Sequence, residues 1–205
     1  IKNPLTPIQL SAERLEMKLS GKVAEPEQAI LTKSVKTIVD QVDAMKRLVN
    51  EFSHYARLPQ AELSALDLNA LLGDVLQLYQ SEAGSVPIQD ELDPACPPIL
   101  GDAQQLRQVV HNLLQNAQDA TEGRAVREVV LATRWNPTSQ RVRMSVRDSG
   151  GGFPEAILKR AFEPYVTTKA RGTGLGLAVV KKIADDHGAR IDLKNLEKDG
   201  QVQGA

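Results

Sequence analysis

Residues 111–121 read HNLLQNAQDAT. Leu113, Leu114 and Ala117 give this stretch a buried side, and Asn112 and Asn116, four apart, fall on one helical face. Asn carbonyls coordinate hard cations and Asn amides meet phosphate oxygens. Taken alone, such a pair fits capping or plain surface chemistry as well. Two more polar islands follow. In Asp148-Ser149-Gly150-Gly151-Gly152-Phe153, the glycines let the backbone approach a ligand closely and take positive φ. Asp148 can accept a hydrogen bond from an amino group, although a mobile strand-to-helix connection would use the same residues. Phe162-Glu163-Pro164-Tyr165-Val166-Thr167-Thr168-Lys169 then runs into Gly172-Thr173-Gly174-Leu175-Gly176. Backbone amides at a helix start suit phosphate, and Lys169 adds a mobile charge. Helix initiation after a flexible loop is the plainer reading of that turn.

Outward from the islands, the pattern is that of a layered α/β domain. The spacing predicts helices over Asp67–Tyr79 and Asp102–Thr121, a short one over Pro154–Arg160 and another over Gly176–His187. Strands are expected in a short stretch before Asp67 and over Val86–Leu92, Val126–Trp135, Gln140–Val146 and Ala189–Leu193. Asn136-Pro137 reads as a turn and Asp93–Pro98 as a proline-rich connection. No GxxxxGK[ST] motif occurs, nor a strand-linked GxGxxG in the first half, so a doubly wound nucleotide fold is excluded.

Before Pro59 the pattern changes. Leu5, Ile8, Ala12, Leu15 and Leu19 form one helical stripe. Ser20–Glu27 interrupts it, with Gly21 and Pro26 as breakers. A second stripe follows: Leu31, Val35, Ile38, Val42, Met45, Val49 and Phe52, the 4-3 spacing of a bundle seam. Two such helices make a hairpin whose apolar stripe needs a cover. Pairing with a second copy into a four-helix bundle is the simplest one, and packing on the rest of the same chain is the alternative.

Composition narrows the class. The chain has 205 residues, 41% of them hydrophobic and only 3% aromatic, so its core is mainly aliphatic. With 25 basic and 26 acidic residues the net charge is -1, which argues against a nucleic-acid partner. Cys96 is the single cysteine and excludes an internal disulfide. No apolar run approaches the ~20 residues that span a bilayer.

Together, HNLLQNAQDAT, DSGGGF, FEPYVTTK and GTGLGLAVVKKI resemble, in order, the four nucleotide-binding boxes of sensor histidine kinases. IKNPLTPIQLSAERL resembles the end of their phosphoacceptor helix, most of all in the membrane-associated nitrogen-regulation branch. The resemblance covers essentially the whole chain. It implies a two-domain α+β fold: a helical-hairpin dimerisation and histidine-phosphotransfer domain over residues 1–60, then an ATP-binding α/β sandwich over 61–205. It implies ATP and Mg²⁺ as ligands. Asn116 would hold Mg²⁺, with His111 and Asn112 on the phosphate side. Asp148 would bind the adenine amino group above a floor of Gly150 and Gly152. Phe162 and Tyr165 would anchor a short lid. Thr168, Lys169 and the turn of Gly172, Thr173, Gly174, Leu175 and Gly176 would meet the phosphates. Asp119 departs from relatives with a basic residue there, which removes a direct phosphate contact.

The implied reaction moves the γ-phosphoryl group of ATP to a histidine, then to an aspartate on a response-regulator receiver domain. The expected partners are a second copy and that receiver domain. The expected setting is a cytoplasmic core in an inner-membrane-associated parent. The acceptor histidine would stand four residues before Asn3, ahead of Ile1. Asn3 itself resembles the residue that positions water in the reverse phosphatase reaction. A second reading is therefore an ATP-binding signalling scaffold or a response-regulator phosphatase without autokinase activity in this segment. A third is another ATPase of the same nucleotide fold, against which the hairpin and NPLTP opening argue. His54 reads as part of a hinge and His187 as a helix cap. The resemblance also implies a further strand after 200–205. Its lack would lower the stability of the ATP domain, which thermal melts of a longer chain would check.

Overall fold

The structure is a computed structural model that describes residues 2–80, 86–169, 172–198, 201–202 and 204–205. By contact it divides into two units. The first comprises Ile1–Leu58 with Lys169–Thr173, and the second Pro59–Thr168 with Gly174–Ala205.

The first unit is a helical hairpin of α1 (Lys2–Leu19) and α2 (Glu25–Ala56). The break between them is tighter than expected. Pro26 does not interrupt α2 but sits in its first turn, where a missing N–H costs nothing. Glu25 and Glu27 add negative charge where the helix dipole favours it. Leu5 and Ala12 of α1 and Val35 and Val42 of α2 are buried within the hairpin. Of the other stripe residues, Ile8, Leu15, Leu19, Ile38, Met45 and Phe52 are exposed, and Leu31 and Val49 are half-buried. The 4-3 seam thus splits into two rows. Val35 and Val42 lie seven apart and are buried, whereas Ile38, Met45 and Phe52, also seven apart, keep about half of their surface exposed.

The second unit opens with β1 (Ser64–Leu66) and α3 (Leu68–Gln80), followed by β2 (Ile88–Glu91), β3 (Ile99–Gly101) and the long α4 (Ala103–Thr121). Next come β4 (Val129–Asn136), β5 (Arg141–Asp148), the one-turn α5 (Glu155–Leu158) and α6 (Gly176–Asp186), then two-residue strands β6 (Glu197–Lys198) and β7 (Gln201–Val202). The main sheet has the order β2-β4-β5, with β2 parallel and β5 antiparallel to β4. A separate antiparallel pair joins β1 to β3, and β6 pairs with β7.

Alternation along β4 and β5 sorts the two sheet faces. Val129 and Leu131, with partly buried Val142, Met144 and Val146, pack under α3 and α4 on Leu72, Val75, Leu76, Val110, Leu114 and Ala117. The expected strand at Ala189–Leu193 is corrected: that segment is irregular and forms no ladder. Its alternation is real, since Ile191, Leu193 and Asn195 are half-buried between exposed neighbours. Half-burial alone does not supply a hydrogen-bonded partner. The last residues instead lie beside β5, where the Asp148 amide donates to the Ala205 carbonyl at 2.9 Å and the Leu196 amide to Gly204 at 2.9 Å.

A polar knot ties α3 to the sheet. Thr133 on β4, with no solvent exposure, accepts from the Asp93 amide and donates to Asn69 Oδ1, both at 2.9 Å. Asn69 Nδ2 donates back to the Asp93 carbonyl at 2.8 Å. Thr133→Val keeps the shape but strands one donor and one acceptor. The expected loss is about 2–3 kcal/mol of unfolding free energy, measured by denaturant titration. A loss within error would show the knot to be idle.

Candidate nucleotide site

The site is assembled along α4. Asp102 caps its start, accepting from the Gln104 and Gln105 amides at 2.9 and 3.1 Å. Its second oxygen accepts from the Glu62 amide at 3.0 Å, and Gln105 Nε2 donates to the Pro59 carbonyl at 2.9 Å. The first turn of α4 therefore holds the chain that enters this unit.

Two contacts fix α6 antiparallel to α4. At one end Asn112 Nδ2 donates to the Gly176 carbonyl at 3.3 Å. At the other, the Asp102 amide donates to His187 Nε2 at 2.9 Å. Nε2 is then the acceptor nitrogen, so Nδ1 carries the proton and donates to the Ile183 carbonyl at 2.8 Å. His187 is the cap that its position predicts, and it also bridges two helices, which no local pattern discloses.

Asn112, Asn116 and Ala120 follow one another at four-residue steps on one face of α4. That row is bracketed by glycines. Gly176 lies at the Asn112–Asn116 end, where a Cβ on it would come 3.8 Å from Asn116 Nδ2. Gly150 lies at the Ala120 end, where an added Cβ would sit 2.7 Å from both the Ala120 Cβ and its carbonyl oxygen. Asp148 Oδ1 accepts from the Gly150 amide at 2.8 Å, which sets the carboxylate at the loop's mouth. Asn195 grips the loop's far end, accepting from the Phe153 amide and donating to its carbonyl, both at 2.8 Å. Gly152, at φ +65, has no room for a side chain between Val202 and Asn195. Asn195 was not legible as a site residue, because it stands far from every glycine-rich island in the sequence.

The lid base is a pinch between two strained turns. The Tyr165 amide donates to the Gly174 carbonyl at 3.0 Å, and both residues have positive φ, +67 and +70. Phe162 is half-buried beside it, and Thr168 is exposed. Lys169, Gly172 and Thr173 belong by contact to the first unit, where the Gly172 amide donates to the Lys169 carbonyl at 3.1 Å.

Two expected roles change in the structure. His111 does not join the Asn112–Asn116 row. Its Nδ1 lies 2.7 Å from the Tyr79 hydroxyl on α3, and the two rings are tilted at 48° with centroids 5.9 Å apart. The reason is the 100° helical step: the neighbour of a site residue points elsewhere. Leu175 is 1% exposed, so its side chain belongs to the interior and only its backbone is left to the turn. Asn3 lies in α1, and its side chain falls outside the described residues.

The Asp102 carboxyl is held below the ordinary carboxylate range, first by the Glu62 amide and then by the Gln105 amide. A depressed native pKa means that this stabilisation is complete above the unfolded value of about 3.9. It is lost as pH falls through the native value. Asp102→Asn, which keeps the cap but not the charge, will flatten the acid limb of the stability–pH curve, read by thermal melts across that range. An unchanged limb would refute it.

The donor set suits a nucleotide carrying Mg²⁺. Among the described residues no group of three His, Cys, Asp or Glu side chains could hold a metal by itself. Mg²⁺ keeps several waters and needs few protein ligands when phosphates supply the rest. The glycines leave a cradle that added Cβ atoms would fill, and the 11-residue α6 starts at one of them.

The chain thus joins a helical hairpin to an α/β unit that carries an asparagine row between two glycine turns. Residues 101–203 match the histidine kinase-, DNA gyrase B- and HSP90-like ATPase family, and residues 1–61 match the His Kinase A phospho-acceptor domain. The chain belongs to the sensor histidine kinases. It is 37% identical over 200 residues to the nitrogen regulation protein NtrY of Azorhizobium caulinodans, covering 95% of this chain and 25% of that protein. Full-length ShkA, crystallised with AMPPNP, superposes with a TM-score of 0.66 at 30% identity over 99% of this chain and 42% of that one. The catalytic domain of histidine kinase ThkA gives 0.59 at 33% identity over 70% and 90%. The chain spans a quarter to a third of the length of the curated relatives NtrY and NtrY-like. No described helix is long and apolar enough to cross a membrane.

Proposed function

We propose that the parent protein is a homodimeric, ATP-dependent histidine kinase of the nitrogen-regulation type, its kinase core in the cytoplasm beside the inner membrane. Residues 1–60 form the dimerisation and phosphotransfer domain and 61–205 the ATP-binding domain. The observation that carries this is the row Asn112–Asn116–Ala120 held between Gly176 and Gly150.

On this reading Asp148 receives the adenine amino group, while Gly150 and Gly152 admit the base. Asn116 holds Mg²⁺, and Asn112 sets the α6 amides toward the phosphates. Phe162 and Tyr165 anchor the lid, while Thr168, Lys169 and the 172–176 backbone meet the phosphate chain. His111 acts through Tyr79 to hold α4 in place rather than touching phosphate. Bound Mg²⁺ supplies neutralisation of phosphate charge. A histidine four residues before Asn3 in the parent takes the γ-phosphoryl group, forming an N–P bond as the bond to ADP breaks. A receiver-domain aspartate then accepts it, and Asn3 serves the reverse hydrolysis.

γ-Labelled ATP tests the assignment. A chain extended upstream to include that histidine will take up acid-labile label, and residues 1–205 alone will not. Label on His54, or none on the extended chain, would overturn it. Persistent receiver dephosphorylation without labelling would favour the phosphatase reading.

A further inference from the structure

The outer face of the main sheet carries more positive charge than its own ion pairs use. Between positions 124 and 147 the chain has six arginines, no lysine and one acidic residue, Glu128, although its net charge is -1. Pairing places four of these arginines on one surface. Arg141, Arg143, Ser145 and Arg147 of β5 lie opposite Asn136, Arg134, Ala132 and Val130 of β4, on the side away from α3 and α4. Among the described strand residues on this face Glu91 of β2 is the one carboxylate, and its Oε2 takes both Arg134 at 3.0 Å and Arg147 at 3.1 Å. Four guanidiniums against one carboxylate leave three charges in excess.

That arrangement works against stability. Arg134 and Arg143 are directly paired across the strands, where like charges repel. Charged residues on an edge strand guard against sheet-to-sheet aggregation. That accounts for β5 but not for Arg134, which stands on the central strand. An external anion would relieve the repulsion.

The surface also indicates which anion. Among its described strand residues the face has no aromatic side chain, and Val130 and Ala132 lie buried between the arginines. A protein partner commonly adds an apolar or aromatic anchor at the centre of its footprint, and single-stranded nucleic acid adds stacking rings. A fluid sheet of anionic headgroups needs neither, because each guanidinium then contributes on its own.

We propose that the β4–β5 face of the ATP-binding unit docks on an anionic lipid bilayer. The test is sedimentation of the full chain with vesicles of phosphatidylcholine, with and without phosphatidylglycerol. Binding is expected only with phosphatidylglycerol, and it should fall steeply with salt. Each arginine replaced should weaken it about fivefold, the worth of one basic side chain near such a surface. Arg143→Gln with Arg147→Gln will therefore cost at least about tenfold, whereas Lys181→Gln with Lys182→Gln on α6 will cost far less. Arg143→Glu, which removes one positive charge and places a carboxylate opposite Arg134, should weaken binding about as much as the double glutamine variant while holding or raising the melting temperature. Equal binding to both vesicle types would overturn the proposal, as would equal losses from the lysine pair. Tighter binding to polyglutamate or duplex DNA than to the vesicles, at the same salt, would give the face to a macromolecular partner instead.

Discussion

Gly174→Ala will remove nucleotide binding while leaving the fold standing. A Cβ at this position would lie 2.6 Å from the Tyr165 carbonyl carbon, 2.7 Å from the Val166 nitrogen and 2.8 Å from the Tyr165 Cα. All three are backbone atoms, so no side chain can rotate away. The residue also sits at φ +70, where a Cβ adds roughly 1–2 kcal/mol of strain. Overpacking adds roughly 1–3 kcal/mol. The cheapest escape is to open the Tyr165–Gly174 pinch, which displaces the base of the lid and the start of α6 together. If the proposed site is right, affinity for an ATP analogue falls at least about thirtyfold, because the strain must be overcome to restore the bound geometry. Calorimetric titration reads this directly. Gly123→Ala is the control: it has φ +72 but nothing within 4 Å of its added Cβ, so it should lose a little stability and no affinity. Wild-type affinity in Gly174→Ala would show that the pinch plays no part in binding.

Which glycines of the site were visible in the sequence, and which of their partners were not, is a matter of range. Three consecutive glycines and a GTGLG turn announce close backbone approach wherever they occur, and the structure finds that approach at Gly150, Gly152 and Gly174. The Asn112–Asn116 spacing is equally local. Asn195 and His187 act across 42 and 85 positions, and no spacing rule reaches that far. His111 misled for the opposite reason. It adjoins Asn112 in sequence, but the helix turns it toward Tyr79. Strand β3 escaped notice because three residues after Pro97-Pro98 give no alternation to read. Strands β6 and β7 are two residues each and carry only one apolar side chain, Val202. The long elements, α2, α4, β4 and β5, were legible because each must bury a continuous face, and that need is written at fixed period.

Ile38→Glu combined with Met45→Glu will turn a dimer into a monomer. The hairpin covers only one of its two apolar rows. Val35 and Val42 are each 4% exposed, whereas Ile38, Met45 and Phe52 are 41%, 56% and 46% exposed. Ile8 and Leu15 of α1 add two more uncovered side chains. Covering the exposed half of these five residues is worth about 1 kcal/mol each, or about 10 kcal/mol gross over two copies. That sum exceeds the lower estimates of the association cost, about 4 kcal/mol and up. Two glutamates per chain would put four carboxylates into the seam, and burying them unpaired costs far more than the lost apolar contact. Sedimentation equilibrium should therefore give the wild-type chain as a dimer and the double variant as a monomer at the same micromolar concentrations. Its helix content should hold, because glutamate is a good helix former and Val35 and Val42 still close the hairpin. Met17→Glu tests whether the row matters or any exposed apolar residue would do. Met17 is 76% exposed but lies off the α1 stripe, so that variant should stay dimeric. A double variant that remained dimeric would place the self-association outside the hairpin.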